Sequence, residues 1–303
     1  MKRAVGLQVL MLLGCGPSAE DYSFVRTEHC PPDCDAGARD AGPTDAGPPV
    51  IPDEPLEPWD TADAGPLTGI FAAEVIVTAK VVIDIEARQL YRIRLLQRGT
   101  ELRMRTQACR ISLPAVAGVA ELTIPPALER VLQTKGNEVE GPYLSMEDPV
   151  GAAFRPPSAV IILGADLSDP MLDLLPTQAD PSRALDEDAD GHPGVTVDAT
   201  TVLCRNPERA YVALRAVALL DGIVEDTDTI AGTVSPLLDQ SVLGVSHNCL
   251  APAAELVIEI RPGSTFRALR VADAQDWDGN GNVSCPEIAL HAADLFGDYW
   301  MGR

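Results

Sequence analysis

Residues 276–287 place oxygen-bearing side chains at a spacing that suits a hard cation. The run is Asp276-Trp277-Asp278-Gly279-Asn280-Gly281-Asn282-Val283-Ser284-Cys285-Pro286-Glu287. Asp276, Asp278 and Asn280 fall on alternate residues, Asn282 and Ser284 continue the series, and Glu287 closes it. Calcium takes roughly six to eight oxygen ligands and tolerates irregular geometry. A tightly turning backbone would aim these oxygens at one point. Gly281 permits the sharp turn, where a side chain would strain the chain. Asp276, Asp278 and Asn280 would offer side-chain oxygens, and Asn282 its main-chain carbonyl. Ser284 would ligate directly or through water, and Glu287 would offer both carboxylate oxygens.

The pattern resembles an EF-hand loop at each chemically demanding position, and the resemblance implies Ca2+ as the bound ion. Ser284-Cys285-Pro286-Glu287 also reads as a capping box with proline in the first turn. The exiting helix is expected from Cys285 to about Phe296, with Ile288, Ala292, Leu295 and Phe296 near one face. On the entering side, residues Thr265 to Gln275 are expected as a helix carrying Phe266, Leu269 and Ala272. A second run, Asp186-Glu187-Asp188-Ala189-Asp190-Gly191-His192, begins in the same way. It resembles the aspartate-rich calcium repeats of secreted proteins, which makes Asp186, Asp188, Asp190 and His192 a weaker set of candidate ligands. Val197 stands where a closing glutamate would fall, so Asp180 or Asp198 would have to complete that site.

The N-terminus sets the expected compartment. Lys2 and Arg3 precede a short apolar run, and Leu12-Leu13-Gly14-Cys15 resembles a bacterial lipobox. The run is too short to span a bilayer. The lipoprotein resemblance implies a signal peptide over residues 1–14, acylation of Cys15 and anchorage in a membrane. Gly16 after the cysteine points to the outer membrane. Residues 15–67 then read as a disordered tether, with Asp-Ala-Gly recurring at Asp35, Asp40, Asp45 and Asp63 among prolines. A coil of about 50 residues has a typical end-to-end distance of about 40 Å. Seven cysteines, less Cys15, leave an even number, as an oxidising compartment allows. The most economical pairing joins Cys30 to Cys34, Cys249 to Cys285 and Cys109 to Cys204.

The rest reads as mainly β, an antiparallel barrel or sandwich over residues 68–248. A disulfide-linked calcium loop and helix follow over 249–303. Apolar residues make up 46% of the chain, enough for a core. Strands are expected within Ile70 to Ala87, Gln89 to Leu96, Glu101 to Gln107, Ala120 to Ile124, Ala159 to Leu163, Val195 to Cys204, Arg209 to Leu220 and Leu256 to Ile260. Leu90-Tyr91-Arg92-Ile93-Arg94-Leu95 and Leu102-Arg103-Met104-Arg105 alternate apolar and basic around Arg98-Gly99-Thr100. That pattern predicts a hairpin with Arg92, Arg94, Arg103 and Arg105 on a solvated face.

No chemistry beyond cation binding stands out. G-x-S-x-G, H-E-x-x-H, P-loop and G-x-G-x-x-G patterns are absent. The histidines are His29, His192, His247 and His291, and none has a nucleophile at a telling spacing. A formal net charge of −22 argues against nucleic acid as a partner. The sequence therefore points to a non-catalytic, calcium-binding envelope lipoprotein, with an extracellular protein or a small apolar ligand as its possible partner. The alternative is a secreted-type hydrolase with a calcium-stabilised β-domain.

Overall fold

The computed structural model describes residues 59–80, 83–113, 120–201, 203–204, 206–250, 258–271, 276–279 and 282–300. Cys15, Cys30, Cys34 and most of the expected tether lie outside these residues. The described residues belong to one unit, Glu57–Arg303.

The fold is mainly β, as the short apolar runs predict. Its strands are β1 (Gly69–Lys80), β2 (Asp84–Arg98), β3 (Glu101–Ser112), β4 (Ala120–Thr123), β5 (Gly136–Gly141), β6 (Ala153–Phe154), β7 (Ala159–Leu163), β8 (Val195–Thr201), β9 (Glu208–Asp226), β10 (Thr229–Val245), β11 (Glu259–Ile260) and β12 (Thr265–Val271). They form one antiparallel sheet in the order β4-β8-β9-β10-β12-β1-β2-β3-β5. Strand β9 is long enough to pair with β8, β7 and β6 in succession along one edge. The predicted hairpin forms between β2 and β3. Arg98 opposes Glu101, and Gly99 turns at φ 62°, a conformation glycine adopts without strain.

The sheet curls back on itself in a sandwich-like manner. Ala108 on β3 shares a cluster with Leu163 on β7 and Val195 on β8, although these strands stand far apart in the sheet order. Helix α1 (Pro126–Thr134) closes the gap with buried Leu128 and Leu132. The larger core cluster gathers Phe71, Ile93, Leu95, Leu102, Phe154, Val224 and Phe266 from six strands. Among the described residues, α1 is a helix that the sequence reading does not anticipate. Proline at its first position and leucines four apart are its local signals.

Three expectations need correction. Residues Thr265–Val271 form strand β12, not a helix. Phe266, Leu269 and Ala272 satisfy a helical spacing, but Phe266, Ala268 and Arg270 also alternate at the strand period. Tertiary packing decides between them. Strand β12 lies between β10 and β1, with Phe266 and Ala268 buried in the core. The sheet therefore runs to Val271 and does not end at residue 248. At the other end, Leu67 is fully buried and the Trp59 ring lies 4.2 Å from the Arg94 guanidinium. Residues 59–67 thus pack on the sheet in place of continuing the tether.

The disulfides are also exchanged. Cys109 pairs with Cys285 and Cys204 with Cys249. Economy of loop length favours Cys249 with Cys285. Yet β3 carries Cys109 to the sheet face on which the C-terminal segment settles, at a Cα separation of 4.7 Å from Cys285. Non-reducing peptide mapping should recover Cys109–Cys285 and Cys204–Cys249 peptides. A Cys249–Cys285 peptide would refute this arrangement.

A candidate cation centre on the outer sheet face

Strand β1 is buried on both faces. Ala72 and Ala73 are consecutive, yet both are inaccessible, which a strand allows only when each face is covered. Ala73 faces the core. Ala72, with Leu90, Cys109 and Val271, faces outward against Val283, Cys285, Ile288, Ala292 and Trp300. The C-terminal segment therefore forms a lid of its own on the outside of β12, β1, β2 and β3.

Polar contacts fix this lid. Trp300 Nε1 donates to Glu74 Oε1 at 2.8 Å, and Arg88 Nη1 donates to the same oxygen at 3.1 Å. The Arg88 guanidinium also lies over the Tyr299 ring. The expected exiting helix appears as two short pieces, α2 (Cys285–Leu290) and α3 (Ala292–Phe296), which break at His291. The capping box forms as the sequence predicts. Ser284 Oγ accepts from Glu287 N at 3.4 Å, and Glu287 Oε2 accepts from Ser284 N at 2.7 Å.

Carboxylate oxygens of Asp276, Asp278 and Glu287 lie within 4.8 Å of one another. These are residues 1, 3 and 12 of the predicted loop. Asp278 is exposed and Glu287 is buried. Like charges gathered this closely repel one another. The site would therefore gain from a cation. All three donors are hard oxygens, and Cys285 is held in a disulfide and offers no thiolate. The donor set thus fits a hard divalent ion and excludes one that needs sulfur.

Other residues of the predicted loop make further contacts. Ser284 Oγ donates to Glu287 Oε2 at 2.7 Å, so its hydroxyl orients the closing carboxylate. The Asn282 side chain accepts from Arg92 Nη2 at 2.7 Å. Its main-chain carbonyl is thus the ligand this position would supply. Asn280 and Gly281 lie outside the described residues. His291 stacks on Trp277 with ring centroids 4.0 Å apart, and its Nδ1 lies 3.1 Å from Asp294 Oδ2.

The second acidic run also closes on itself. Oxygens of Asp186, Asp188 and Asp190 lie within 4.8 Å of one another. Backbone N–H groups of Asp190 and Gly191 donate to Asp186, and Thr196 Oγ1 donates to Asp190 Oδ2. Ala189 turns at φ 58° to make this possible. Thr196 N donates to Asp188 Oδ2 at 2.7 Å, while Asp188 Oδ1 is buried with no hydrogen-bond partner. His192 does not join the cluster, because its ring stacks on Tyr211 at 4.0 Å. Neither remote carboxylate completes it. Asp198 pairs with Arg209, and Asp180 accepts from Ser182. Glu187 is drawn away by an ion pair with Lys135.

Arg92 is the residue the sequence reading misses. It was expected on a solvated face with Arg94, Arg103 and Arg105, but it is only 4% exposed beneath the lid. The one sequence signal is Leu90, an apolar residue two positions before Arg92 on the face expected to be polar. Arg94 and Arg103 do lie near the surface, stacked on Trp59.

No family model, curated protein or solved structure matches this chain.

Burial holds the Asp188 carboxyl above the usual aspartate range, and the Asp190 and Asp186 charges push the same way against the Thr196 N–H. A carboxyl raised in the folded state favours its neutral form there. Its contribution is present below the ordinary aspartate pKa and is lost as pH rises through the raised value. In chelator, the stability difference between wild type and Asp188→Asn should therefore shift in favour of the variant as pH rises from about 4 to 7. Thermal unfolding across that range measures it. A difference that does not change with pH would contradict the assignment.

Proposed function

We propose that this protein is a calcium-binding lipoprotein of the cell envelope with a non-catalytic structural or partner-binding role. One observation carries the calcium reading. The three carboxylates that the loop pattern assigns to positions 1, 3 and 12 converge within 4.8 Å. Their all-oxygen chemistry and the capping box behind Glu287 support it. The lipobox-like Leu12-Leu13-Gly14-Cys15 supports attachment to a membrane through Cys15, with the outer membrane as its place.

The ion would bind to a segment that is already held. The lid is attached by a disulfide, by apolar burial and by the Trp300–Glu74 bond. At an extracellular-type dissociation constant of about 10⁻⁴ M and about 1 mM calcium, binding adds only about 1.4 kcal/mol to stability. Calcium would therefore trim the lid's motion and not create the fold. A core filled by Phe71, Phe154 and Phe266 supports a structural role over carriage of an apolar ligand. The Asp186–Asp190 loop is a second, weaker cation site in this reading. The orphaned Asp188 oxygen supports it.

Calorimetric titration with Ca2+, or Tb3+ luminescence sensitised by Trp277, tests the main site. Glu287→Gln keeps a capping group at that position but removes the charge, and it should abolish calcium binding. Asp276→Asn should weaken binding at least tenfold. Unchanged affinity in both variants would sink the loop assignment. For the anchor, Cys15→Ser should move the protein from the membrane to the soluble fraction, and a wild-type chain already soluble would count against lipidation.

A further inference from the structure

We infer that Arg92, on the sheet, is the positioning residue of the cation loop, tying Asn282 and Val283 to the strands. The inference rests on the calcium reading of residues 276–287. Its geometry is specific. Arg92 Nε donates to the Val283 main-chain oxygen at 2.6 Å, and Nη2 donates to Asn282 Oδ1 at 2.7 Å. Nη1 turns the other way and donates to Gln107 Oε1 at 2.9 Å on β3. One planar guanidinium thus ties two consecutive loop residues to two strands.

A second layer fixes the strand partner. Gln107 Nε2 donates to the Gln133 carbonyl, and Gln133 Nε2 donates to the Cys109 carbonyl. Cys109 is itself bonded to Cys285, two residues past Val283. The loop is therefore held at Asn282, Val283 and Cys285 from a rigid base. The chain reaches Asp276 from strand β12, which ends at Val271.

Burial explains why the attachment is strong. Arg92 as a residue is only 4% exposed, and a guanidinium so covered must have its donors satisfied. If the loop moved away, Nε and Nη2 would have to exchange these acceptors for water and the Val283 and Asn282 oxygens would lose their charged donor. The sheet thus penalises displacement of the loop. Ordering entropy that a free loop would lose on binding is then lost during folding instead, which raises affinity. Lysine cannot substitute, since a single ammonium does not span Val283 O, Asn282 Oδ1 and Gln107 Oε1 in one plane.

The test compares full-length wild type, Arg92→Gln, Arg92→Lys and Asn282→Ala, each checked for folding and intact disulfides. Asn282→Ala keeps the main-chain carbonyl and Arg92, so it probes the contact even if Arg92→Gln folds poorly. Calcium titration should show at least tenfold weaker binding in Arg92→Gln and Arg92→Lys, and a smaller loss in Asn282→Ala. In EDTA, amide exchange across 276–284 should be faster in each variant than in wild type. Affinity and exchange equal to wild type in all three would overturn the role of Arg92 and leave the calcium site standing. A wild-type protein that binds no calcium would instead overturn the calcium reading and the role built on it.

Discussion

Cys109 and Cys285 are 176 residues apart in sequence, and the bond between them fixes the C-terminal segment to the outer face of the sheet. In the chain-entropy model a loop of that size is worth about 5 kcal/mol of stability. Much else depends on this placement. Without the lid, Ala72, Leu90 and Val271 would be exposed to water, and Glu74 and Arg92 would lose partners. The sheet is therefore two-sided by design of its sequence. One face closes on itself around Phe71 and Phe266, and the other receives the lid. The acidic loop is part of that lid, so its geometry follows from the sheet beneath it as well as from its own turn.

The two acidic loops reach similar carboxylate clusters by different means. In the Asp276 loop the closing carboxylate comes from a helix cap, and Ser284 orients it with two hydrogen bonds. In the Asp186 loop the carboxylates are held by backbone N–H groups and Thr196, with an alanine in the left-handed region. The second arrangement leaves one buried oxygen unsatisfied at Asp188. That is an unfavourable state for a carboxylate unless a proton or a cation joins it.

What could be read from the sequence was local. The capping box, the Gly99 hairpin and the convergence of Asp276, Asp278 and Glu287 depend on residues close in the chain. The misread features depend on distant partners. Arg92 bonds to residues 190 and 191 positions away, and apart from Leu90 beside it no local pattern distinguishes it from Arg94. Strand β12 escapes the sequence reading because Phe266, Leu269 and Ala272 fit a helical period while Phe266, Ala268 and Arg270 fit the strand period, and only its place between β1 and β10 selects the strand. Cysteine pairing failed for the same reason, because spacing alone does not reveal which strand face a cysteine occupies. Ser284 stood at a ligand position and at a cap position at once, and the cap is the role its hydrogen bonds take.

The most direct measurement is a crystal structure grown with about 1 mM calcium, with the ion located by its anomalous scattering. The predicted result is one ion bound by oxygens of Asp276, Asp278 and Glu287 at about 2.3–2.6 Å, with Val283 and Asn282 still on Arg92. An ion-free loop at that concentration, or an ion bound only after the loop has left Arg92, would contradict it.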